Sequence, residues 1–215
     1  MVAKKIKTNK NTPKTIIVIC TEGDADELVF KRLINYYQIN GWLTPGDLKY
    51  HKACGFPNES EIRSKLIQIQ HIYNKKEIYF RTVMCEYDTD VLEKNNYIAP
   101  DWRIVEKNLK RDLPIKSFCR IEAKTSIEDW ILDDLAGLLQ ALGLPKNTKP
   151  KGKSGQDKVK YLFLKKGLVY DRHKGEFNIK PVIDKLDIAK IREARKKELK
   201  EFEKLLGVKI MDKKE

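Results

Sequence analysis

The chain has 215 residues, of which 41% are hydrophobic and 35% charged, with a formal net charge of +13. This suffices for one ordinary domain with an appended smaller lobe and for a buried core, which excludes wholesale disorder. No apolar run approaches the roughly 18 residues that cross a bilayer, and no signal-like apolar segment follows the basic start of the chain. A soluble, cytoplasmic protein without a membrane partner is expected.

In chain order, residues 1–14 read as a basic flexible arm with five lysines and no acid. Thr15–Cys20 is a continuous, β-branched apolar run, the mark of a strand buried on both faces. Glu22-Gly23-Asp24 turns the chain, and Val29, Leu33, Tyr36 and Tyr37 then repeat at helical spacing. Leu48–Ala53 reads as a short strand, and Ile62, Leu66, Ile69 and Tyr73 mark one face of a helix. Ile78–Cys85 is a further strand, running directly into Glu86-Tyr87-Asp88-Thr89-Asp90. Asp101–Arg111 predicts a helix and Ser117–Ala123 a fourth strand. Ile127, Ile131, Leu135, Leu138 and Leu142 lie on one face of a helix that Gly143 and Pro145 stop. Lys146–Gly155 is a Lys/Pro/Gly-rich linker. Beyond it, 156–215 reads as a basic helical lobe, with a long amphipathic helix from Asp187 to Leu206. Strands alternating with helices over 15–145 imply an α/β domain with a mainly parallel sheet.

Charge is spread unevenly. Residues 149–215 hold 21 basic against 11 acidic side chains, and residues 15–148 hold 18 against 20. A near-neutral body between basic appendages suits metal-binding carboxylates beside surfaces that touch a polyanion; an ordinary lysine-rich, solvated surface has the same composition. The four cysteines, Cys20, Cys54, Cys85 and Cys119, stand far apart and read as small buried side chains in a reducing cytosol. His51 and Cys54 alone have a zinc-like spacing, and without a second half they predict no zinc site.

Two acidic motifs fall at strand ends, where parallel sheets bind ligands. In Glu22-Gly23-Asp24-Ala25-Asp26-Glu27, Gly23 allows the tight geometry that lets Glu22 project. Asp24 and Glu27 also stand at capping-box spacing, a purely structural use. Asp88 and Asp90, two apart past a strand, can bind one hard cation, and oxygen-only ligands favour Mg²⁺ or Mn²⁺ over zinc.

The ordered pair, VICTEGDADELVF at 18–30 and VMCEYDTDV at 83–91, resembles the Toprim domain of topoisomerases, DnaG-type primases and OLD-family nucleases over about residues 15–125. The resemblance implies that Glu22 is a general acid/base or metal ligand, and that Asp88 and Asp90 hold the catalytic metal. Leu92 stands where many members carry a third acid; Glu86, Asp26 or Glu128 could replace it, and Asp26 is counted among the metal ligands. Ser126-Ile127-Glu128-Asp129-Trp130 is similar to a segment of RloB-like, Toprim-related proteins of bacterial defence loci, in which the glutamate joins the acidic site. Glu128 is therefore a candidate catalytic residue, although acids in a first helical turn also favour the helix dipole. OLD-like nucleases carry a lysine after the acidic motifs, and Lys158 is the candidate here.

Lys151, Lys153, Arg192, Arg195, Lys196 and Lys197 are candidate nucleic-acid contacts. The long helix that carries the last four could equally pack on a partner through Leu199 and Phe202. The resemblance implies a metal-dependent nuclease acting on RNA or DNA, in anti-phage defence, with a partner ATPase left open. Two alternatives stand beside it: a non-catalytic nucleic-acid- or partner-binding protein with a degenerate site, and a nuclease like the ribosomal-RNA maturases. The latter usually carry Gly-x-x-Ile-Arg after the second motif, where this chain has Val91-Leu92-Glu93-Lys94-Asn95.

Overall fold

The expected alternation of strand and helix is what the chain forms in a computed structural model that describes residues 14–44, 46–52, 59–89, 100–171 and 178–210. Strands β1 (Lys14–Thr21), β2 (Leu48–Lys52), β3 (Ile78–Asp88) and β4 (Ser117–Ala123) make one sheet in the order β2-β1-β3-β4, every neighbouring pair parallel. The two central strands are the most continuously apolar, because both their faces are covered. Helix α1 (Asp24–Ile39) follows β1, α2 (Glu59–Asn74) follows β2, and α3 (Trp102–Asp112) precedes β4. Asp101 caps α3 by accepting the Arg103 N–H at 3.0 Å.

Alternation along the strands sorts the core into two layers. Ile16, Val18 and Cys20 of β1 join Phe80, Val83, Cys85 and Tyr87 of β3 beneath α2 and α3. Ile17 and Ile19 join Met84, Cys119, Ile121 and Ala123 on the opposite face, beneath α1. Phe80 and Val83 share a face although they are three positions apart. The register with β1 explains this: Ile16 pairs with Phe80 but Ile17 with Thr82, so Arg81 is an extra, bulged residue. From Thr82 onward the even-numbered side chains of β3 face α1.

Three expectations need correcting. The helix predicted through Ile127–Leu142 is two, α4 (Ile127–Leu132) and α5 (Leu135–Leu142). Asp134 separates them: its carboxylate accepts from the Gly137 N–H at 3.2 Å, the Asp187 N–H at 2.7 Å and Lys190 Nζ at 3.1 Å. A Cβ on Gly137 would lie 1.9 Å from that carboxylate and would displace it from these bonds. The helix predicted from Asp187 to Leu206 is also two, α8 (Ile188–Ala194) and α9 (Lys196–Leu206), joined at Arg195. Finally, the change of composition at 146–155 is not a change of packing. Helices α6 (Gly155–Lys165), α7 (Lys180–Ile183), α8 and α9 place Val159, Leu162, Phe163, Ile191, Leu199 and Phe202 in the same buried cluster as Ile17, Ile19 and Met84. Phe202 meets Phe30 of α1 edge-on, with ring centroids 5.2 Å apart. Among the described residues, no helix is long and apolar enough to cross a membrane.

Candidate metal centre

The carboxyl ends of β1 and β3 lie side by side at the middle of the sheet. Because of the bulge, Glu86 and Asp88 point to the α1 face, with Tyr87 turned away into the opposite layer. Gly23, extended at φ −138°, starts α1 within two residues of β1, so the first turn of the helix faces the end of β3. The acid that closes this turn is Asp26, whose Oδ2 accepts the Gly23 N–H at 2.9 Å. The capping pair expected at Asp24 and Glu27 is thus shifted by one residue. Asp24 instead pairs with Lys52, and Glu27 with Lys31 at 2.6 Å.

Asp26, Glu86 and Asp88 are all buried, and one carboxylate oxygen from each lies within 4.8 Å of the others. Backbone donors fix them. The Glu22 N–H donates to Glu86 Oε2 at 3.3 Å, and the Ile127 N–H to Asp88 Oδ1 at 2.9 Å. Glu22 is half-buried at the rim of the cluster and accepts the Asp88 N–H at 3.4 Å. Burial, with the neighbouring charges of Asp26, Asp88 and Glu22, pushes the Glu86 carboxyl well above the usual carboxylate range. Clustered buried carboxylates are costly unless a cation neutralises them. Among the described residues, Glu86 Oε1 and Thr21 Oγ1, buried at the ends of adjacent strands, meet no hydrogen-bond partner. The set is oxygen only, so these residues fit a hard divalent cation such as Mg²⁺ or Mn²⁺.

Among the other candidates, Asp90 lies outside the described residues. Glu128 is fully buried in the first turn of α4, and its Oε1 accepts the Tyr170 hydroxyl at 2.7 Å. Lys158 is half-buried on α6, whose start packs on that same turn: a Cβ on Gly155 would lie 2.6 Å from the Asp129 carboxylate. Lys151 and Lys153 are exposed just before α6, and Lys196 and Lys197 on α9. Arg192 and Arg195 are not the surface contacts expected. Arg192 is buried, pairs with Glu203 through two bonds of 2.8 and 3.2 Å, and stands over Trp42. Arg195 forms two bonds to Asp133, at 2.6 and 3.1 Å, and stands over Trp130. No motif in the sequence marks Thr21 or Tyr170. Glu86 enters from sequence only as a replacement for a missing acid, although the alternation through Cys85, Glu86, Tyr87 and Asp88 is a usable sign of its place.

Comparison with protein-family models, curated proteins and solved structures finds no match to this chain.

The Glu86 carboxyl makes a prediction about pH. In the folded, cation-free chain it keeps its proton above the ordinary glutamate range, whereas the unfolded chain releases it there. Folding therefore takes up a proton, and this stabilisation is present at acid pH and lost as pH rises toward the raised value. His51, whose pKa burial lowers, works in the opposite direction. Calorimetry in EDTA between about pH 5 and 8 should show wild type losing stability with pH relative to Glu86→Gln. Parallel curves for the two proteins would contradict the assignment.

Proposed function

We propose that this chain is a divalent-metal-dependent nuclease that hydrolyses phosphodiester bonds of RNA or DNA, with Asp26, Glu86 and Asp88 as its metal ligands. The observation that carries this reading is the buried cluster of these three carboxylates at the carboxyl ends of the two central strands. A bound Mg²⁺ or Mn²⁺ would stabilise the charge that develops on a phosphate during displacement. Glu22, half-buried at the rim, would exchange the proton with water or the leaving oxygen. Lys151 and Lys153 just before α6, and Lys158 on it, would attract and orient the phosphate. The likeness of the two acidic motifs, Glu22-Gly23 and Asp88-Thr89-Asp90, to the Toprim pattern supports the same chemistry.

Purified full-length chain should be incubated with single- and double-stranded RNA and DNA in Mg²⁺, Mn²⁺ or EDTA. Cleavage of at least one substrate with a cation, and of none in EDTA, is the expected result. No cleavage of any of the four, together with no saturable Mn²⁺ binding, would sink the reading.

A further inference from the structure

The buried pair of Tyr170 and Glu128 joins the segment after α6 to the turn that anchors the acidic cluster. Tyr170 is 5% exposed, its ring set edge-on against Phe163 with centroids 5.2 Å apart. A phenylalanine would fill that space equally well, so packing alone does not account for the hydroxyl. The hydroxyl donates to Glu128 Oε1 at 2.7 Å. A glutamate in a first helical turn gains from the helix dipole while still in water. Glu128 is 0% exposed, and the dipole gives no reason for a carboxylate to leave solvent. The neighbouring residue does give one. The Ile127 N–H donates to Asp88 Oδ1 at 2.9 Å, so the orientation of this turn sets the orientation of Asp88.

We propose that Tyr170 is a positioning residue of the acidic site: its hydroxyl fixes Glu128 and, through the first turn of α4, the Asp88 carboxylate. The site is then built from both sides of the 146–155 segment. Partners that orient metal ligands commonly change metal affinity by 10–100-fold when removed. This inference rests on the metal reading above, and its test separates the two.

Mn²⁺ affinity should be measured calorimetrically on full-length wild type, Tyr170→Phe, Glu128→Leu and the double variant, with melting in EDTA as the control for folding. Tyr170→Phe should weaken Mn²⁺ binding about 10-fold and keep a cooperative melt in EDTA. Glu128→Leu, which offers the hydroxyl no acceptor, should weaken it at least as much. The double variant should bind no more weakly than Glu128→Leu alone, because the hydroxyl acts through that carboxylate. Wild-type affinity in Tyr170→Phe, or losses that multiply in the double variant, would overturn the positioning role and leave the metal reading intact. Absence of saturable Mn²⁺ binding in wild type would overturn both. Should Tyr170→Phe fail to fold, Glu128→Leu decides the matter, and wild-type affinity there overturns the proposal.

Discussion

Replacing Asp88 with asparagine should lower phosphodiester cleavage by about 10²-fold or more, the scale on which single charge-stabilising groups act in enzyme sites. The substitution preserves shape, and asparagine Oδ1 can still accept the Ile127 N–H. What it removes is one negative charge from beside Asp26 and Glu86. Without metal the variant should therefore melt no lower than wild type, because the repulsion on Glu86 is relieved. Added metal should separate the two proteins the other way. A ligand at 100 times its Kd stabilises a fold by about 2.7 kcal/mol, and at its Kd by only about 0.4 kcal/mol. A Mn²⁺ concentration that stabilises wild type strongly should thus scarcely shift Asp88→Asn. An unchanged metal-induced shift would show that the cation sits elsewhere.

The second large effect concerns stability. Arg192→Met should cost about 3–5 kcal/mol, because it leaves the Glu203 carboxylate buried with its ion-pair partner gone. Glu203 is 7% exposed and also accepts the Tyr37 hydroxyl at 2.8 Å, so solvent cannot readily replace the lost guanidinium. For a chain of this length the loss corresponds to a fall in Tm of about 6–20 °C. Adding Glu203→Leu together with Tyr37→Phe should recover much of it, since a buried polar network removed as a whole can be exchanged for apolar groups at little net cost. Thermal melts of the three proteins would check this; a Tm within a degree or two of wild type for Arg192→Met would contradict the burial of the pair. Charge reversal at Arg192 or Arg195 would likewise report on folding rather than on nucleic-acid binding.

The strands and most helices were legible because their signals are local. β4 matches its predicted span, Ser117–Ala123, and the one-face spacing in α1 and α2 survives in the core. The helix breaks were not legible because neither is made by glycine or proline. Asp134 breaks its helix by bonding to Asp187 and Lys190, more than 50 positions away, and Arg195 sits at a break while held by Asp133. Burial of Arg192 could not be read from amphipathicity either, because charged residues face water unless a distant partner such as Glu203 meets them. At the site, the acidic character of both strand ends was plain. The membership was not: a glutamate argues against a buried strand, so the local pattern ends β3 at Cys85 and gives Glu86 only the place of a substitute acid. Tyr170 belongs to no periodic pattern, and only the folded contacts give it a role.

Beyond the bulge at Arg81 this chemistry depends on a count of residues rather than on their kinds. Met84, Glu86 and Asp88 look toward α1 because each stands an even number of positions after Thr82, the partner of Ile17. Arg81 itself is outside that count: without its codon Ile17 would still pair with Thr82, and regular alternation from Phe80 would keep the acids on the same face. A residue lost or gained between Thr82 and Glu86 has no such slack. It would carry Glu86 and Asp88 into the apolar layer under α2 and α3, and bring Cys85 and Tyr87 round to face Asp26. Within this stretch of β3, mutational tolerance is therefore split by mechanism: point changes test the chemistry of one side chain, whereas a one-residue insertion or deletion inverts a whole face of the strand and removes the acidic site while leaving every one of its acids in the sequence.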